Sequence, residues 1–205
     1  MNESTNLLFA GVGGQGSLLI AELASMAAVQ AGFDVKQTEV HGVSQRGGSV
    51  ETHVRFGEKI YSPIVSPGEA HVLISLEKLE TLRFAHYIHP HSGKILANEF
   101  EIIPSSVANA AESYPHHAHQ YLVENGFPVI SLNATQQAHE LGDARMANVV
   151  MLGALSALLP IESAHWQRAL QVRLPKRYLE GNQKAFALGI EMLRAHPSLE
   201  EFSHV

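Results

Sequence analysis

Two short segments concentrate the residue types able to do chemistry. Gly11-Val12-Gly13-Gly14-Gln15-Gly16 fits the pattern G-x-G-x-x-G. Glycines at that spacing let a backbone turn tightly and approach a pyrophosphate, and a helix opening after them presents free N–H groups to an anion. A full dinucleotide site also needs an acid at the end of the next strand to hold a ribose, and Glu39 is the candidate. Binding of a smaller anion, or mere close packing of a helix on a sheet, would use the same glycines. Gln15 adds a neutral amide that could face a ligand or a partner chain. The second segment, Glu39 to Val50, reads Glu-Val-His-Gly-Val-Ser-Gln-Arg-Gly-Gly-Ser-Val. It packs an acid, an imidazole, a hydroxyl, an amide and a guanidinium among three glycines. A solvated turn is the plain alternative. Against it, Arg46 offers a fork of donors while Gly47-Gly48 leaves the backbone open to another surface.

Other chemistries find less support. The 13 histidines include His86, His89 and His91, and a second group of His116, His117 and His119. Neither group has the H-x-x-x-H spacing of a helical zinc site, so no metal site is expected. Ser44 and Ser49 have His41 and His53 near them in sequence, but no G-x-S-x-G elbow surrounds either serine. No residue is therefore assigned a catalytic role.

The elements that would position these segments can be read from apolar runs and breakers. Asn6 to Ala10 reads as a buried strand running into the glycines, Ser17 to Ala31 as a helix closed by Gly32, and Phe33 to Thr38 as a second strand. Strand, turn, helix and strand in that order predict a right-handed parallel unit. Ser49 to Phe56 alternates like a half-exposed strand, with Lys59 to Tyr61 as its expected antiparallel partner after a turn at Gly57 and Glu58. Further strands are expected at Ala70–Leu76, Lys94–Ala97 and Pro128–Ser131, with helices at Glu77–Phe84, Tyr114–Asn125 and Thr135–Leu141. Beyond Gly142 the pattern is helical, broken at Pro160 and near Pro175, with a last helix over roughly Asn182 to Ala195. The fold class is α/β: a three-layer, mostly parallel, Rossmann-like sheet with helices on both faces, an antiparallel hairpin and a helical C-terminal extension over about 143–196. No repeat or linker divides the 205 residues, so one domain over 1–205 is expected.

Composition narrows the function classes. Fourteen basic against 20 acidic residues give a net charge of −6, which argues against a nucleic-acid binder. The chain has no cysteine, hence no disulfide, no thiolate nucleophile and no cysteine ligand for an iron–sulfur cluster. Residues 1–6 lack the basic start of a signal peptide, and the longest apolar stretch, Met146 to Leu159, is shorter than a bilayer crossing needs. That stretch reads as a buried helix, and a cytoplasmic setting without membrane contact is expected. Leu152, Leu155, Leu158 and Leu159 read as core or subunit interface, and the sole tryptophan, Trp166, as core or an interface anchor.

Taken together, the two glycine segments resemble the gamma-domain subunit of the 2-oxoacid:ferredoxin oxidoreductases. The stretch His41 to Arg46 is most similar to the arylpyruvate branch, that of the small (beta) subunit of indolepyruvate ferredoxin oxidoreductase. Other branches carry a tyrosine and an acidic residue ahead of Arg-Gly-Gly. Ser62-Pro63, Ala70 to Ile74, Asn148 to Gly153, and Asn182 with Ala185-Phe186 and Gly189 extend the resemblance over nearly the whole chain. Ala70-His71, where many relatives have Asp, and the histidine groups depart from it. The resemblance implies an accessory subunit of a complex that oxidatively decarboxylates indolepyruvate or other arylpyruvates to acyl-CoA, with ferredoxin as acceptor. Thiamine diphosphate, Mg and the [4Fe–4S] clusters would sit on the large (alpha) catalytic subunit, CoA would be a co-substrate, and this chain would carry no cofactor of its own. Gly142-Asp143-Ala144 comes nearest to the Gly-Asp-Gly start of a thiamine-diphosphate motif and lacks its second glycine. Gly11, Gly13, Gly14, Gln15, Gly16, Ser44, Gln45, Arg46, Gly47 and Gly48 are the expected ligand or partner contacts. The alternative is a free-standing nucleotide-binding protein using NAD or FAD.

Overall fold

β1 (Thr5–Val12) is buried from Asn6 onward and organises the sheet around it. Leu7 and Phe9 point into a large apolar core on one face, while Leu8 and Ala10 point into a smaller one on the other. A strand covered on both faces needs this unbroken apolar run. The computed structural model describes residues 4–41, 47–103 and 113–199. The other strands are β2 (Asp34–His41), β3 (Ser49–Gly57), β4 (Val72–Ser75), β5 (Lys94–Asn98) and β6 (Val129–Leu132). They form a mixed sheet in the order β2-β3-β1-β4-β5-β6. β1, β4, β5 and β6 pair in parallel, whereas β3 is antiparallel to both β1 and β2.

This order extends one expectation and corrects another. β2 runs parallel to β1 but does not touch it, because β3 is inserted between them. The antiparallel partners of β3 are β1 and β2, and Lys59–Tyr61 forms no strand. Instead the Ile60 N–H donates to Asp34 Oδ2 at 2.9 Å, which ties that loop to the start of β2. The alternation in β3 therefore does not mark a solvent face. Val54 and Phe56 join the larger core, while His53 on the other face is equally buried.

Helices cover both faces. α1 (Ser17–Gln30) buries Ile20, Ala21, Leu23, Ala24, Ala27 and Ala28, and ends where the Phe33 N–H returns to the Ala28 carbonyl past Gly32. On the same side lie α4 (Ala134–Glu140), α5 (Ala147–Ser156), α6 (Ser163–Arg173) and α7 (Lys176–Arg194). All ten residues of α5 are buried, as the apolar stretch predicts. Trp166 of α6 is 1% exposed and donates its indole N–H to the Ile161 carbonyl, so it belongs to the core. α2 (Lys78–Phe84) and α3 (Ala118–Glu124) cover the opposite face. α7 begins earlier than Asn182, and its first turns are exposed and polar. α5 and α7 cross with their backbones in contact. A Cβ on Gly153 would fall on the Phe186 carbonyl, and one on Gly189 on the Val150 carbonyl. No helix among the described residues is long and apolar enough to cross a membrane.

Candidate functional site

The fold brings the two glycine segments together. The β1–β3 register ends at Val12 opposite Ser49. Beyond it the ladder continues through the turns: the Gly13 N–H donates to the Gly48 carbonyl at 2.9 Å and the Gly47 N–H to the Gly13 carbonyl at 3.4 Å. Segments more than 30 residues apart in sequence are thus one continuous backbone unit at the carboxyl edge of β1. Gly42 to Arg46, including the expected contacts Ser44, Gln45 and Arg46, lie outside the described residues, as does the His41 side chain.

Gln15 is hydrogen-bonded within the chain at both ends of its amide. Its Oε1 accepts from the Val12 N–H at 2.8 Å, and its Nε2 donates to the Leu76 carbonyl at 3.0 Å. The amide stitches the end of β1 to the end of β4, across the gap where two parallel strands diverge. Gly16 is left-handed at φ 82° and opens α1 with no side-chain cap. A side chain there would be strained, and it would also strike the Asn148 amide, which donates to the Gly16 carbonyl at 3.4 Å.

A cleft of about 630 Å³ opens beside this unit. Gly14 to Gly16, Leu76, Asn98 and Thr135 supply its sheet side, and α5 and α7 contribute Asn148, Tyr178 and Asn182. The carboxyl edge of the parallel strands, where connections leave in opposite directions, is where open α/β sheets collect ligands. Asn98 closes β5 and bonds the Leu76 carbonyl and Thr135 Oγ1. A buried Asn at the end of an apolar run was the signal that could have marked it in advance. The α5 and α7 walls have no local signal, because they come from distant chain.

Glu39 does not complete a ribose site. It faces Thr52 of β3, which in turn faces Phe9, so it stands level with mid-β1 and two strands away. Two strand spacings are about 9.6 Å. The inserted β3 is the reason the dinucleotide fingerprint is not assembled. The Asp143 carboxylate is likewise engaged. It accepts from Arg145 N and pairs with its guanidinium at 2.7 Å, which pulls its pKa down to about 2.

Sequence reasoning missed a polar hub at the start of α2. Glu77 is 1% exposed: Oε2 accepts from the Glu80 N–H, and Oε1 from the Ile102 N–H and the Tyr114 hydroxyl. Burial and the Glu77 carboxylate push the Tyr114 phenol up. Next to it, Lys78 bridges Glu99 and Glu101 at 2.9 and 2.8 Å. Burial pulls the ammonium down, but the hydrogen bonds to Glu101 and Glu99 outweigh it and its pKa is raised. His119 and Lys78 hold Glu99 down to about 2 against burial. Among the described residues, no cluster of three or more side chains is arranged to hold a metal ion.

Known proteins share both the sequence and the architecture. The chain is 36% identical, over 91% of its length and 94% of the relative, to the indolepyruvate oxidoreductase subunit IorB of Pyrococcus horikoshii. It is 27% identical to the 2-oxoglutarate synthase subunit KorC of Archaeoglobus fulgidus, over 100% of this chain and 96% of that one. The crystal structure of a keto/oxoacid ferredoxin oxidoreductase gamma subunit from Geobacter sulfurreducens superposes with a TM-score of 0.69 at 24% identity, covering 93% of this chain and 99% of the other. The model of the pyruvate ferredoxin/flavodoxin oxidoreductase family matches residues 6–192, and this chain belongs to that family.

Proposed function

We propose that this chain is the accessory small subunit of a 2-oxoacid:ferredoxin oxidoreductase that decarboxylates indolepyruvate or another arylpyruvate. In that reaction the oxoacid loses carbon dioxide, its acyl group joins the CoA sulfur, and two electrons leave to ferredoxin. The carrying observation is the near full-length match to an indolepyruvate oxidoreductase subunit, at 36% identity against 27% for the 2-oxoglutarate relative. The arylpyruvate form of the second glycine segment supports the same choice.

The residues present fit a division of labour. These 205 residues include no cysteine, so thiolate ligands for [4Fe–4S] clusters would come from the large subunit. Thiamine diphosphate and Mg are assigned there too, because the nearest match to their motif, at Asp143, has its carboxylate taken by Arg145. Within this reading the chain works as one gamma-type domain in the cytoplasm. Its two glycine segments, joined at Gly13 with Gly47 and Gly48, meet either CoA or the large subunit, with Gly11 to Gly16 and Ser44 to Gly48 as the expected contacts.

Co-expression with the cognate large subunit tests the proposal. A stable complex is expected on gel filtration, and its absence would defeat the reading. Arg46→Ala separates the two roles of the turns. Lost assembly marks a protein contact, and intact assembly with a raised CoA requirement marks a ligand contact.

A further inference from the structure

On one face of β3, two polar side chains hold buried atoms without a partner among the described residues. His53 has a side chain 2% exposed, and its Nδ1 accepts from the Val65 N–H at 3.1 Å. With Nδ1 accepting, Nε2 is the ring's donor position. That nitrogen is buried without a hydrogen-bond partner, and Glu51 Oε1 stands 3.5 Å away, too far for a good bond. The other Glu51 oxygen, Oε2, is also buried and unpartnered. Among the described residues the nearby bases are committed elsewhere: Lys36 to Asp34, Arg55 to Asn6 and the carbonyls of Ser62 and Ile64, and Arg83 to Glu80.

The place is an incompletely covered end of the sheet. Glu51 and His53 share a face with Leu8 and Ala10, their β1 neighbours. On that face α2 and α3 pack against β1, β4, β5 and β6, and the loop after β3 crosses the β2–β3 end above His53 and Arg55. Apolar side chains remain exposed around it. Val40, opposite Glu51 on β2, is 42% exposed, and Ile64, next to the Val65 that bonds His53, is 47% exposed. A second carboxylate, Glu80, receives the hydroxyl of Ser49, two residues along the same strand face, and burial raises its pKa.

We propose that this β2–β3 face docks the large subunit, which places an arginine or lysine on Glu51 beside the exposed Val40 and Ile64. The inference rests on the reading of the chain as an accessory subunit. A carboxylate oxygen buried without a donor among the described residues selects a cationic donor as its occupant, and exposed apolar neighbours exclude water from such a pair. Assembly would supply the donor that Glu51 Oε2 lacks among the described residues.

Glu51→Gln keeps the shape and removes the charge. In the isolated chain it should leave the melting temperature unchanged or raise it. In the complex with the cognate large subunit it should weaken the dissociation constant at least tenfold, and high salt should weaken wild type toward the variant. Ile64→Asp, an exposed loop change that leaves the fold intact, should weaken assembly as well. If wild type binds and both variants bind as tightly, the docking face is refuted while the accessory-subunit reading stands. If wild type itself fails to bind, that reading falls and this inference with it. A loss of several degrees in the isolated Glu51→Gln chain would give the carboxylate an internal role and overturn the proposal. So would an isolated wild-type dimer that this variant dissociates, since the occupant would then be a second copy.

Discussion

Replacing Gly189 by Ala should be among the most destabilising single-methyl changes in the chain. The new Cβ would stand 2.8 Å from the Val150 carbonyl carbon and 2.9 Å from the Ala154 nitrogen, with the Val150 oxygen closer still. Ordinary contact begins near 3.4 Å, so α5 and α7 must separate by more than an ångström. Neither can give cheaply. α5 is buried on every side, and α7 packs Ala185 and Phe186 into the same core. A gap of that size forfeits at least a quarter to a half of each dispersion contact along the crossing. Overpacking costs typically about 1–3 kcal/mol and occasionally more, while alanine returns up to about 1 kcal/mol of helix propensity. With no room to relax, a net loss of about 3 kcal/mol follows, or roughly 6–12 °C in melting temperature for a chain of this size. Gly181→Ala in the same helix is the matched control. Its Cβ meets only the flexible Met146 thioether at 3.3 Å, so the propensity gain should show as a small rise. Thermal melts and urea titrations of the two variants read the difference. A Gly189→Ala chain as stable as wild type would refute the backbone contact between α5 and α7.

Gln15→Ala leaves the Val12 N–H and the Leu76 carbonyl without their partners, and should cost about 2 kcal/mol in chemical denaturation. A neutral result would return the amide to a ligand or partner role. The Glu99 carboxylate has its folded pKa depressed to about 2 by His119 and Lys78, so its contribution is present above the ordinary glutamate range and lost as pH falls toward 2. The melting temperature of Glu99→Gln should therefore lie below wild type at pH 7 and converge with it only as pH falls to about 2, and a constant gap would contradict the assignment. Trp166, the only tryptophan, should emit at short wavelength, resist acrylamide quenching and stay unchanged when the large subunit binds. A shift on binding would restore its role as an interface anchor.

Much of the fold was legible because its strands are buried on both faces and its helices are punctuated by glycine and proline. β1, β4, α1 and α5 announce themselves by apolar runs too long to be exposed. β3 misleads for a physical reason. Ser, Glu, His and Arg alternate with Val, Thr and Phe as on a solvent-facing strand, yet His53 is buried beneath the following loop and its neighbours are β1 and β2. Pairing partners are non-local, and alternation fixes only which residues share a face. The early start of α7 was hidden because Lys176 to Gly181 is exposed and contains a glycine. At the site, local pattern located both glycine segments, but the ladder from Gly13 to Gly47 and Gly48 depends on β3 lying beside β1. The same insertion moves Glu39 away from the turn. Gln15 shows the complementary limit: its type and position invite a ligand, and only the distances to Val12 and Leu76 reveal a structural tie.

Reconstitution tests the central claim most directly. The purified large subunit should be assayed for indolepyruvate- and CoA-dependent ferredoxin reduction with and without this chain. The account predicts that full activity requires the chain, that the chain alone reduces no ferredoxin, and that an arylpyruvate is preferred to 2-oxoglutarate. Equal rates in its presence and absence would contradict the account.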